Sequence, residues 1–148
     1  SEGGEAAAVA AVWIEDAEGK RVPAVAHGES FSVCALLDVR ERIDRPDVHF
    51  AFNTDEVLTV FGATSRAIAA NDDEPFLPGE RIVVRMTADN ALGDGRYFVD
   101  CSLHGAERGV VAFRGRACEF VVFGATAGSG LVSLPHTMRV ERELERVT

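Results

Sequence analysis

The side chains of this chain that could do chemistry are four histidines, three cysteines and a scatter of carboxylates, hydroxyls and amides. Their spacing excludes most chemistry. The sequence holds no GxxxxGK[ST], HExxH or GxSxG pattern, so phosphate-loop, zinc-protease and hydrolase-elbow readings fall away. Gly93-Asp94-Gly95 is followed by a strand pattern, whereas a dinucleotide loop opens a helix. Asp100, Ser102 and His104 alternate on one predicted strand. Alternate residues sit roughly 7 Å apart and point in parallel, which argues against a Ser-His-Asp triad. His49, His104 and Glu119 could gather round a metal if their strands were neighbours. Solvated polar side chains on an outer sheet face account for the same three residues, so no metal and no cofactor is assigned. Cys34, Cys101 and Cys118 are odd in number and lack CxxC spacing, which reads as free core thiols in a reducing cytoplasm. The chain reads as a binding module, not an enzyme.

The elements that must position these residues show a period of two. The turn Leu92-Gly93-Asp94-Gly95 leads into Tyr97, Val99, Cys101 and Leu103 on one face, with Phe98, Asp100, Ser102 and His104 on the other. Tyrosine after a Leu-x-x-Gly-x turn resembles the tyrosine corner of Greek-key sandwiches, where the hydroxyl bonds back to backbone. Phe31, Val33, Ala35, Leu37 and Val39 alternate inward. So do Val48, Phe50 and Phe52, then Ile82, Val84 and Met86, then Cys118, Phe120 and Val122. Further strands are predicted over residues 8–15, 58–63 and 131–134, with a loop over 105–109. Short alternating strands with turn signals about every 8–12 residues predict an all-β, immunoglobulin-like antiparallel β-sandwich. Residues 1–7 read as a linker, 8–135 as the sandwich and 136–148 as a charged tail, helical or frayed.

At 148 residues one domain with its own core is expected. Acids exceed bases 24 to 15, a net charge of −9, and no basic patch or basic helix is visible in the sequence, which argues against nucleic acid or an anionic membrane as partner and is compatible with an uncharged ligand. No apolar run is long enough to span a bilayer.

In a Greek-key sandwich the third, sixth and seventh strands lie side by side. If residues 48–54, 97–104 and 117–123 take those places, one outer face gathers His49, Asn53, Phe98, Asp100, Ser102, His104 and Glu119, with Thr59 on the adjoining strand. Amides, carboxylates and imidazoles beside an exposed ring suit a sugar, whose hydroxyls take bidentate partners and whose C–H faces stack on aromatics. A plain solvated sheet face fits the same pattern. Trp13, the only tryptophan, points out of the first strand, either as a stacking platform or packed under a tail or neighbouring subunit.

The order of motifs resembles the C-terminal domain of Wzt-type ATP-binding subunits of polysaccharide ABC exporters. The resemblance runs through Val12-Trp13-Ile14-Glu15-Asp16-Ala17-Glu18-Gly19, Gly28-Glu29-Ser30-Phe31, Pro46-Asp47-Val48-His49-Phe50, Val60-Phe61-Gly62-Ala63-Thr64-Ser65, Leu77-Pro78-Gly79-Glu80, Leu92-Gly93-Asp94-Gly95-Arg96-Tyr97 and Glu119-Phe120-Val121-Val122. Arg116-Ala117-Cys118 departs from it where an acidic residue often stands, and Asn53-Thr54-Asp55 lacks the hairpin glycine. The resemblance implies a non-catalytic module that recognises an O-antigen-like polysaccharide for export. It also implies a cytoplasmic location at the inner face of the membrane, a homodimer, and association with the nucleotide-binding domain of the same subunit and the transporter's membrane subunits. A structural or protein-docking sandwich without a glycan ligand is the alternative.

Overall fold

Among the described residues the alternating segments form eight strands: β1 (Ala7–Glu15), β2 (Ala24–Ala26), β3 (Ser30–Val39), β4 (Asp47–Asn53), β5 (Thr59–Thr64), β6 (Arg81–Asp89), β7 (Gly95–Gly105) and β8 (Gly109–Phe123). The computed structural model describes residues 4–56, 58–65, 74–125, 130–132, 134 and 139. Two sheets face each other as a sandwich, one in the order β1-β3-β6 and the other in the order β2-β8-β7-β4-β5. Every pair is antiparallel except the short β2 on β8. The expected adjacency of the β4, β7 and β8 segments, with β5 beyond β4, is present.

The core fills the space between the sheets. Val33, Ala35 and Leu37 of β3 are buried there. From the other sheet come Phe50 and Phe52, Val99, Cys101 and Leu103, and Phe120 and Val122. Phe120 sits at the centre of an aromatic cluster, with ring centroids 5.7 Å from Phe31, 5.5 Å from Phe52 and 5.6 Å from Tyr97. Burying each such side chain stabilises the sandwich by about 1.5–3 kcal/mol. Cys34 and Cys101 are buried and Cys118, expected to be as buried, is half-buried; none is bridged. Burial pushes the Cys101 and Cys118 thiols up to about 12, so neither is a thiolate at neutral pH.

Tyr97 forms the corner its turn predicts. Its hydroxyl donates to the Gly93 carbonyl at 2.7 Å, with the Leu131 carbonyl 3.2 Å away. The Gly93 N–H donates to the same Leu131 carbonyl at 3.0 Å, and Leu92 bridges Val132. Gly93 must be glycine here, because a Cβ would collide with the Gly130 carbonyl. Residues 130–132 are thereby fastened to the turn before β7. The predicted tail over 136–148 lies, apart from Arg139, outside the described residues.

One strand is longer than predicted. β8 begins at Gly109, where a start near residue 117 was expected, so the loop after β7 is only residues 106–108. The expectation failed because β8 carries a bulge. Val99 pairs with Cys118 but Cys101 pairs with Arg114, leaving Gly115, Arg116 and Ala117 opposite Asp100 alone. The bulge interrupts the alternation, and residues 110–114 then read as no continuation of the strand after it.

Candidate functional site

The register sets out the outer face of the five-stranded sheet in rows. At one end Asp47 of β4 lies opposite His104 of β7. The next row runs Thr64, His49, Ser102 and Phe113. Then come Gly62, Ala51 and Asp100 beside the bulge, and after them Thr59, Asn53, Phe98 and Glu119. All eight residues singled out from the sequence therefore belong to this one face. They do not form one cluster. Ala51 and Gly62, nearly without side chains, leave a shallow strip between two groups.

The first group holds imidazoles. The His49 and His104 rings stack, with centroids 3.9 Å apart and planes 21° apart. His49 Nε2 lies 2.9 Å from Asp47 Oδ2 and His104 Nε2 lies 3.0 Å from Ser102 Oγ. Burial lowers the His104 pKa, the neighbouring His49 lowers it further, and Asp47 opposes the shift. The Ser102–His104 contact corrects the sequence argument that kept these two side chains apart: backbone spacing is fixed along a strand, but a histidine is long enough to lean back over its neighbour. No triad results, because Asp100 faces the other group. A polar recess of about 530 Å3 adjoins His104, lined by Asp44, Arg45, Asp47, Ala106 and Glu107 among others.

The second group is a chain of hydrogen bonds. Thr59 Oγ1 donates to Asn53 Oδ1 at 2.7 Å, and Asn53 Nδ2 donates to Asp100 Oδ2 at 3.0 Å. Asp100 Oδ1 accepts the Arg116 N–H of the bulge at 2.8 Å. Asp100 thus holds β8 in shape as well as facing outward. Phe98, expected to be an exposed platform, is only 9% exposed. The Arg116 guanidinium covers it, 4.0 Å above the ring centroid. Phe113, at 44%, is the exposed ring beside this group, and Phe123, beyond Glu119 at the far end of β8, is a second exposed ring on the face, at 51%.

Glu119 stands apart, bonded to Arg96 at 3.0 Å. It is rows away from His49 and His104, so the three do not converge on a metal. Among the described residues no cluster of ligand side chains suits an ion. Phe113 and Arg116 were missed because the bulge hid the first half of β8. The run Val110-Val111-Ala112-Phe113 was the signal that could have revealed it.

The sequence profile of the Wzt C-terminal domain matches residues 1–134. A crystal structure of the C-terminal domain of wzt superposes with a TM-score of 0.80 at 14% identity, covering 94% of this chain and 86% of that one. A Niemann-Pick type C2 protein from Japanese carpenter ant superposes with a TM-score of 0.56 at 9% identity, covering 81% and 93%. At such identities these likenesses speak for the fold. No curated protein sequence matches the chain.

Proposed function

Since the chain belongs to the Wzt C-terminal domain family, a polysaccharide-export transporter module, we propose that it binds a cell-surface glycan of the O-antigen kind and delivers it to an ABC exporter without catalysing a reaction. The observation that carries this is the outer face of the five-stranded sheet. It sets hydroxyl, imidazole and carboxylate groups on both sides of a strip lined by Ala51 and Gly62, with the exposed Phe113 ring at its border and the buried Asn53 amide fixing Thr59 and Asp100 in place. Sugar hydroxyls take such partners and pyranose C–H faces take the ring. Each new hydrogen bond replaces one to water and nets about 0.5–1.5 kcal/mol, so a single domain binds in the micromolar-to-millimolar range. Two domains in a transporter compensate by avidity.

In this reading the domain works at the cytoplasmic face of the membrane. Its partners are the nucleotide-binding domain of the same subunit, the membrane subunits and a second copy of itself. Dimerisation is assigned partly to residues 131–140, of which residues 131 and 132 dock on the tyrosine corner. A construction without glycan, in which the sheet docks protein, has one feature in its favour: Val110, Phe113, Val121 and Phe123 are all exposed along β8. NMR titration with the polysaccharide made by the same cell separates the two. Glycan binding shifts the resonances of His49, Asn53, Ser102 and His104 saturably; a face that stays silent at millimolar sugar leaves the docking reading.

A further inference from the structure

The bulge of β8 is built at a cost and held by its neighbours. Arg116 has φ 47°, a left-handed conformation disfavoured for any residue with a Cβ. Asp100 accepts its N–H at 2.8 Å. Beside it, a Cβ on Gly115 would press on the Phe113 ring, 3.2 Å from Cε2 and Cζ. Strain of this kind persists only where surroundings impose it, and it clusters where a ligand is clamped. Its consequence here is to lift the Arg116 side chain onto the outer face and lay the guanidinium on Phe98.

That guanidinium has little to bond. Its one hydrogen bond among the described residues runs to the Asp55 carbonyl at 3.4 Å. Among the described residues Arg42, Arg81, Arg85, Arg96 and Arg108 each pair with a carboxylate; Arg116, like Arg21, Arg40, Arg45 and Arg114, does not, and it is the one of these that stands on the outer face of the five-stranded sheet beside Asp100. The Asp100 carboxylate beside it already accepts the bulge amide and the Asn53 amide. Phe98 backs the guanidinium carbon at 4.0 Å, and the exposed side chain keeps N–H groups for a ligand. An arginine fork so presented matches a carboxylate or phosphate bidentately.

We propose that Arg116 reads an acidic group on the glycan, a uronate carboxylate or a phosphate substituent, while the sugar lies along the Ala51–Gly62 strip. This rests on the glycan reading and narrows it. The chain's net charge of −9 repels a dense polyanion, but the repulsion is screened beyond about 8–10 Å at physiological salt. The site therefore favours a sparsely charged glycan over a densely sulfated one.

The test is NMR titration of the chain with glucuronate, glucose 1-phosphate and glucose, following the Arg116 Nε–H and the Phe98 and Asn53 amides. The two acids shift these signals with an affinity at least about tenfold above glucose, as expected for one charge-assisted bidentate contact. Whichever acid binds tighter identifies carboxylate or phosphate as the group read. Arg116→Gln brings the acids down to the glucose level and leaves glucose unchanged, and Arg116→Lys restores part of the difference. Acids that bind no tighter than glucose, or an Arg116→Gln loss shared equally by all three, overturn the proposal and leave the glycan reading standing. If neither these sugars nor the cell's own polysaccharide shifts the face, both readings fall.

Discussion

Both outer faces of the sandwich use the same local device. On the three-stranded sheet Arg21 lies 4.0 Å over the Trp13 ring; on the five-stranded sheet Arg116 lies 4.0 Å over Phe98. What surrounds the device differs. Trp13 Nε1 donates to Glu15 at 2.8 Å, Arg85 reaches the same carboxylate at 3.3 and 3.4 Å, and Arg81 pairs with Asp38 at 2.9 Å. Ser32 and Thr87 share a hydrogen bond at 2.8 Å. Ser32 and Asp38 are matched to partners on the neighbouring strand β6, and Arg85 of β6 reaches past β3 to Glu15 of β1. β1 also has a bulge, between Val9 and Ala11, and Arg114 fills it by donating to the Ala10 carbonyl at 2.9 Å. One bulge is plugged by an arginine; the other projects one. An arginine over an aromatic ring is thus no mark of a site by itself. The irregularity of the register around it is what differs.

The comparison breaks most visibly at Asp100. Asp100→Ala leaves the bulge amide and the Asn53 amide without their acceptor, and we expect a loss of about 2 kcal/mol in chemical denaturation. Ser32→Ala on the opposite face removes one neutral bond and costs about 1 kcal/mol or less. Equal losses would make the two faces equivalent. Tyr97→Phe supplies a reference that belongs to neither face: the Gly93 carbonyl loses its buried donor, and stability falls by about 1 kcal/mol or somewhat more. An unchanged melting temperature would remove the tyrosine corner from the account.

Acid sharpens the contrast in two separate windows. The folded state holds His104 below its ordinary value of 6.5, by burial first and then by His49. The unfolded chain therefore takes the proton first, and stability declines as pH falls from 6.5 through the lower folded value. Hydrogen bonds from Trp13 and Arg85 hold Glu15 below 4.5, so its contribution is complete above that pH and disappears as pH falls below it. Denaturation followed against pH should show His104→Gln flattening the first decline and Glu15→Gln the second. If each variant flattened both declines alike, the faces would respond as one.

The smallest expected effect is the control. Arg85→Ala and Thr87→Ala should leave glycan affinity unchanged within about twofold, while Asn53→Ala and His104→Ala each weaken it by about two- to tenfold. Weakening only by the first pair would move the glycan to the three-stranded sheet.

Much of this arrangement was legible in the residues alone. Alternation marked the strands, told Phe50 from His49 and Val99 from Asp100, and the turn before Tyr97 announced its hydrogen bond. These features are local: each follows from a neighbour's parity or from a few consecutive residues. Placing β4, β7 and β8 side by side needed only the regular topology of sandwiches, and it brought the eight predicted residues to one face. The bulge at Gly115–Arg116, the covering of Phe98, the stacked imidazoles and the Ser102–His104 contact were decided by the tertiary structure. Each depends on what lies across the sheet, on a partner strand whose register no run of residues within one strand specifies. Asp100 holds the bulge open from β7, and Asn53 holds Asp100 from β4, so the shape of the face is set by side chains that are distant in sequence and meet only once the sheet has formed.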